Sequence, residues 1–281
     1  MKADILDLTG NKVGTLELPP QFEEPIRLDL IKKAVLVVQN NNRQPYGAYP
    51  EAGKRPSVRI SKRRRDYKTS YGHGISRSPR KVIWHRGRQF GWVGAFAPNT
   101  RGGRRSHPPK AEKDFSQDMN INERRKAIRS AISASLNKNL LQKNNYTSKA
   151  PLIIAEELER LNKTKEIKNL LVSLGLKIEL SNTLKKKIKT GSSRLRGRKY
   201  RIKKGPLIVV SQKCSLMNAA SNIPGLNISI VHNLNAELLA PGANPGRLII
   251  WSNKSIERLG KEKLFMNYRR KIKLTKENGS I

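Results

Sequence analysis

The chain has 281 residues and carries 58 Lys and Arg against 21 Asp and Glu, a formal charge of +37. That length allows one larger or two smaller domains with a real core, and so large a positive excess strains a compact state unless a polyanion neutralises it, which makes nucleic acid the expected partner. One cysteine, Cys214, excludes an internal disulfide; the charged start Met1-Lys2-Ala3-Asp4 is no secretory signal, and no run of about 18 apolar residues could span a membrane, so a soluble, cytoplasmic protein without a membrane partner is expected.

Ile5, Leu6 and Leu8, the turn Thr9-Gly10-Asn11-Lys12, and then Val13, Leu16 and Leu18 predict a β-hairpin ended by Pro19-Pro20. Ile26 to Gln39 places Ile26, Leu30, Ala34 and Val37/Val38 on a helical stripe, stopped by Asn40-Asn41-Asn42. Residues 1–42 are thus read as the first part of a globular domain.

From Arg43 to Lys110 hydrophobic periodicity almost disappears. These 68 residues hold 18 Lys and Arg against Glu51 and Asp66, a local charge of +16 that leaves +21 on the other 213 residues. So long a loop in a compact domain points to function. Thirteen of the 18 bases are Arg, whose planar guanidinium forks onto phosphate and stacks on bases. Nine glycines let the backbone approach another polymer closely. Interleaved rings, among them Tyr46, Tyr49, Tyr67, Tyr71, Phe90 and Phe96, suit the unstacked bases of RNA.

Expected RNA contacts on the incoming arm are Arg43, Lys54, Arg55, Arg59, Lys62, Arg63, Arg64, Arg65 and Lys68. On the outgoing arm they are Arg80, Lys81, Trp84, Arg86, Arg88 and Trp92, followed by Arg101, Gly102, Gly103, Arg104, Arg105, His107 and Lys110. Trp84 and Trp92 could instead pack on each other or on the loop's own stem. Free in solution the loop cannot bury enough apolar surface to offset its conformational entropy and is expected to order only on RNA.

Beyond the loop, residues 111–281 read as the remainder of the globular domain. Asn120 is expected to cap a helix with Glu123 as its reciprocal partner, and Ile121, Ile128, Ile132, Leu136 and Leu140 continue one stripe. Strands are predicted at Leu152 to Ala155, Leu207 to Val210, Leu226 to Val231 and Leu248 to Trp251, and helices at Glu156 to Leu161, Lys165 to Leu174, Ser215 to Ser221 and Ser255 to Lys271. Short apolar strands alternating with helices predict a three-layer α/β/α domain around a mostly parallel sheet, with the long basic loop as an extension. Lys185 to Lys204 is a second basic insertion. It reads as another phosphate-contacting strip through Arg194, Arg196 and Arg198, or as a solubilising loop; the total charge favours the first. Lys271 to Ile281 is polar and expected to fray.

The carboxyl ends of parallel strands are where an α/β enzyme binds its ligand. None of the four here carries the Gly-rich turn a nucleotide needs. Cys214, His232 and Glu237 could be drawn as nucleophile, base and orienter, but a small buried Cys beside a sheet is the commoner arrangement. His73, His85 and His107 lack zinc-site spacing. Neither catalytic residues, metal nor cofactor are expected.

Three segments carry a family likeness: Gln44-Pro45-Tyr46-Gly47 where the loop begins, Tyr71-Gly72-His73-Gly74-Ile75-Ser76-Arg77-Ser78-Pro79-Arg80 within it, and Gly102-Gly103-Arg104-Arg105-Ser106-His107-Pro108-Pro109-Lys110 where it ends. With an α/β body around them they resemble the large-subunit ribosomal protein L-four family, in its archaeal form, over most of the chain. The resemblance implies a structural constituent of the cytoplasmic ribosome that binds large-subunit ribosomal RNA and neighbouring ribosomal proteins. It further implies a loop threading into the RNA, its tip lining the peptide exit tunnel beside the nascent peptide. Symmetry of the two arms, together with the likeness, puts that tip at Tyr71, Gly72, His73, Gly74, Ile75, Ser76 and Arg77. The rival readings are a non-ribosomal RNA-binding or RNA-remodelling protein and, less well supported, an RNA-modifying enzyme.

Overall fold

The computed structural model describes residues 1–66, 69–87, 89–146 and 150–267. β1 (Lys2–Leu6) and β2 (Lys12–Glu17) pair antiparallel, closed by a turn in which Gly10, at φ +91°, donates its amide to the Asp7 carbonyl at 3.0 Å. α1 (Leu28–Asn41) buries Ile31, Ala34 and Val35; of the expected stripe Ala34 is buried, Leu30, Val37 and Val38 are half-buried, and Ile26 precedes the helix.

Within the basic segment, β3 (Arg80–Arg86) and β4 (Gln89–Gly94) form a second antiparallel hairpin. No strand was expected there, because the usual polar/apolar alternation is missing: all of β3 after Arg80 is exposed. The β-forming character of Val82-Ile83-Trp84 and Phe90, Trp92 and Val93, flanking Gly87 at φ +55°, is nevertheless a hairpin signal.

The helix expected from Asn120 through Leu140 is two helices, α2 (Ile121–Ala134) and α3 (Lys138–Lys143). The Ser135 hydroxyl bonds back to the Ile132 carbonyl at 2.6 Å, and the Asn137 side chain accepts from the amides of Asn139 and Leu140 to start a new helix. Asn120 does cap α2, accepting from the Asn122 amide at 2.9 Å. Glu123 reaches Lys33 on α1 at 2.8 Å instead of closing a reciprocal box.

β5 (Leu152–Ile154) is followed by a 3-10 turn at Glu156–Arg160 and then α4 (Thr164–Ser173) and α5 (Lys177–Leu184). The second basic insertion holds β6 (Lys187–Ile188), α6 (Ser192–Leu195) and β7 (Tyr200–Arg201), with β6 and β7 paired antiparallel. The chain then continues through β8 (Leu207–Val210), α7 (Leu216–Ser221), β9 (Asn227–Ile230), α8 (Ala236–Leu239), β10 (Ile249–Ser252) and α9 (Asn253–Lys261). α9 stops at Lys261, where the Glu262 amide caps onto Arg258 and Gly260 and Lys263 turns to φ +49°; the expected continuation toward Lys271, and the polar tail beyond it, pass outside the described residues.

Six strands lie in the order β2-β1-β5-β10-β8-β9, antiparallel only between β1 and β2. Alternate side chains of each buried strand serve opposite layers. Ile153, Leu207, Val209, Ile249 and Trp251 pack with the buried faces of α1, α2, α8 and α9. Leu152, Ile154, Ile208, Val210 and Ile250 pack with those of α3, α4 and α7. This is the three-layer α/β/α arrangement, and burial on both faces explains why these strands read as unbroken apolar runs.

Two compact units result, one comprising Met1–Asn42 with Ser116–Ile281 and the other Arg43–Phe115. In the first, Arg129 of α2 is 5% exposed and forms a clamp. It pairs with Glu24 at 2.7 Å and donates to the Phe265 carbonyl at 2.6 Å and the Asn267 side chain at 3.3 Å.

Candidate nucleic-acid interface

The Arg43–Phe115 unit is held by its backbone and by ring–guanidinium stacking. At its base Tyr46 and Phe115 stack with centroids 5.9 Å apart, and the Arg43 guanidinium lies 4.5 Å from the Phe115 centroid and 5.1 Å from that of Tyr46. The two arms run close enough for the Ala48 amide to reach the Pro109 carbonyl at 2.8 Å. Glycine is required at this approach: a Cβ on Gly47 would sit 2.5 Å from the Ala111 nitrogen, and one on Gly53 2.5 Å from the Arg104 nitrogen.

Higher in the unit Arg59 and Arg80 exchange both backbone hydrogen bonds, at 3.0 and 3.2 Å. Arg80 also turns its guanidinium onto the Ser78 carbonyl at 3.2 Å and the Ser76 carbonyl at 2.5 Å, fixing the bend before β3. Within that bend Gly72 and Gly74 have positive φ and open space around them. Tyr71 takes Arg77 over its ring at 4.5 Å and Arg64 at 5.8 Å, and Arg55 lies over Tyr49 at 4.6 Å. Several rings expected for bases therefore already carry an arginine of the same unit.

The β3–β4 hairpin answers the question of the two tryptophans. Trp84 folds over Gly91, directly across the ladder, where a Cβ would collide with its indole. Trp92 meets Phe90 edge-on at 6.0 Å, and Phe90 meets His85 at 5.9 Å. The rings do not stack on each other as a tryptophan pair. Trp84, Ile83, Val82 and Val93 remain largely exposed.

Charge in this unit is poorly neutralised from within. Arg59 approaches Asp66 at 3.9 Å. Among the described residues the guanidiniums of Arg63, Arg65, Arg86, Arg101, Arg104 and Arg105 form no ion pair or hydrogen bond; Lys54, Lys62, Lys81, His107 and Lys110 are exposed. The expected contacts Lys68 and Arg88, with Tyr67, lie outside the described residues. In the other unit, Arg194, Arg196 and Arg198 are exposed on and beyond α6. This arrangement can bind a polyanion, with fixed arginine planes over rings and free guanidiniums for phosphate.

At the carboxyl ends of the strands, where an enzyme of this architecture would hold its ligand, the Glu159 side chain bridges β8 and β10. Its carboxylate accepts from the Ser211 amide at 2.7 Å, the Ser211 hydroxyl at 2.7 Å and the Ser252 hydroxyl at 2.6 Å, tying β8 to β10. Burial, with the Glu159 carboxylate adding to it, pushes the Cys214 thiol up, away from a reactive thiolate. His232 is engaged by Arg258 at 2.7 Å and Glu262 at 3.2 Å, and Glu237 by Gln39 at 3.4 Å, so the three do not assemble as a triad. Among the described residues no cluster of three or more His, Cys, Asp or Glu is placed to hold a metal, and no helix is long and apolar enough to cross a membrane.

Comparison with known proteins matches residues 16–262 to the Ribosomal protein L4/L1 family. The chain is 48% identical over 267 residues to the large ribosomal subunit protein uL4 of Nanoarchaeum equitans, covering 94% of this chain and all of that protein. It is 37% identical over 266 residues to the protein of the same name from Archaeoglobus fulgidus (92% of this chain, 98% of that one) and 38% identical over 260 residues to that of Methanothrix thermoacetophila (92% and 98%).

Proposed function

Since the chain belongs to the ribosomal protein L4/L1 family, we propose that it acts as a structural constituent of the large ribosomal subunit, binding ribosomal RNA through the Arg43–Phe115 unit and threading it into the RNA. The protein is a ribosomal component of the archaeal type, cytoplasmic in the ribosome, and not an enzyme. Similarity along nearly the whole chain to large-subunit proteins carries this reading. The free guanidiniums of Arg63, Arg65, Arg101 and Arg105 take phosphates, and the exposed rings of the hairpin fill gaps beside unstacked bases. Lys68 and Arg88 belong to the same contact set, as do Arg194, Arg196 and Arg198 on the second insertion. Neighbouring ribosomal proteins adjoin the body.

The open bend from Tyr71 to Arg77 lines the peptide exit tunnel and meets the nascent peptide. Gly87, at φ +55° with open space around it, marks a second candidate for that contact. Cross-linking from His73 and from Arg86 to a stalled nascent peptide distinguishes the two.

Sedimentation of cell lysate at low and high salt tests the whole reading. A surface-bound basic protein washes off as screening rises, whereas a threaded one stays with the large subunit. Migration as free protein or small complexes at either salt would return the chain to the soluble RNA-binding readings.

A further inference from the structure

At the amino ends of the strands, opposite Glu159, lies an open cleft of about 1400 Å³. Its walls come from distant segments: the end of α1, the turn after α3, the end of α5, the β6–β7 ribbon and the loop after α8. Its floor is Arg247, 2% exposed and donating to the carbonyls of Gly205, Pro206 and Leu238 and to the Asn227 side chain. Burial depresses the Arg247 pKa to about 10, which leaves it cationic at neutral pH.

Two features of the walls point to a ligand. Lys187 and Arg201 stand directly opposite each other in the two-residue ladder of β6 and β7, so both side chains share one face. Like charges in that position repel, and Lys185, Lys203 and Lys204 add to them while Glu237 is the acidic group lining the cleft. The second feature is amide content. Asn42, Asn145, Asn182 and Asn244 line the same space, and among the described residues their side chains make no hydrogen bond. An amide offers donor and acceptor together, as base edges require. A protein partner would instead want an apolar, aromatic centre, and the space exceeds that of an ordinary small-molecule pocket.

We propose that this cleft is a second RNA site, holding a looped-out single strand of large-subunit ribosomal RNA with its phosphates on the Lys187–Arg201 pair and an unstacked base among the asparagines. The inference rests on the ribosomal reading above and adds a site on the opposite strand ends from those an enzyme would use.

The test uses the full chain bound to large-subunit ribosomal RNA. In a Cys214→Ser background, Asn244→Cys carries a tethered iron–EDTA group that cleaves what lies near it; Lys213→Cys in the same background, exposed past the carboxyl end of β8, is the reference. Focused cleavage of one single-stranded segment from Asn244→Cys, absent from the reference, is the expected result. Replacing Lys187 and Arg201 by Ala should also lower the slope of log affinity against log salt by about 1.4, two single-strand phosphate contacts. If the protein binds the RNA but the tether cuts nothing, cuts the reference sites, or in purified subunits cuts a neighbouring polypeptide, the cleft is not an RNA site. Failure of the unaltered chain to bind the RNA at all defeats the ribosomal reading itself.

Discussion

In the sheet-bearing unit Leu207, Ile208, Val209 and Val210 are completely buried, and each layer of helices closes over its own apolar cluster. In the Arg43–Phe115 unit the buried hydrophobic residue among those described is Ala95, and the rest of the order comes from backbone pairing, close glycine contacts and arginine planes over rings. The hydrophobic effect supplies most folding free energy, roughly in proportion to apolar area removed from water. The body therefore carries its own stability, whereas the basic unit has geometry without much burial. A two-stranded hairpin exposed on both faces is marginal alone, and its missing partner surface is supplied on this reading by RNA.

The largest effect that separates the two units is expected at their tryptophans. Trp251→Ala, at the centre of the sheet and edge-on to Phe22 at 5.3 Å, should cost about 4 kcal/mol in urea unfolding. Trp84→Ala should leave the same transition within about 0.5 kcal/mol; equal losses at both sites would mean that the basic unit shares the body's cooperative core.

Next comes the Arg129 clamp. Arg129→Ala should destabilise the body by about 3 kcal/mol, because Glu24 and the Phe265 carbonyl lose a common donor, and hydrogen exchange should show the loss centred on the end of α9. Glu159→Ala should cost about 2 kcal/mol, since charge-assisted bonds to Ser211 and Ser252 vanish together. Thermal melts that left this variant unchanged would show that β8 and β10 need no polar tie at their ends.

The smallest stability effect belongs to the base of the basic unit. Arg43→Ala removes a cation shared by two rings and should cost about 1 kcal/mol, visible as faster proteolysis within residues 43–115 and not as a shift in the body's melting. Protection of β3–β4 amides as strong as that of β8 and β10 in the free protein would erase the contrast.

The body was largely readable because burial on both faces writes itself into the chain. Leu207 to Val210 was delimited to the residue, and β9 and β10 to within one residue at each end. The break between α2 and α3 was hidden, since Leu136 and Leu140 keep the apolar spacing while the interruption depends on where the Ser135 hydroxyl points. The β3–β4 hairpin was missed for the opposite reason: with neither face buried there is no alternation to read. In the basic unit, composition announced the chemistry without telling which arginines are spent on Tyr49 and Tyr71 and which stay free. The amino-end cleft had no local signature at all, because Asn42, Asn182 and Asn244 meet only through the sheet's topology.

The position of β10 between β5 and β8 sets a schedule for the newborn chain. This inner strand is Ile249–Ser252, so the two halves of the sheet cannot join until the chain through Ser252 has left the ribosome that makes it. The polycationic segment emerges more than a hundred residues earlier, on the order of ten seconds at ordinary elongation rates. During that interval it is accessible, strongly charged and unsupported by a finished body, and any RNA or acidic escort that meets it then competes with the site where the mature protein belongs.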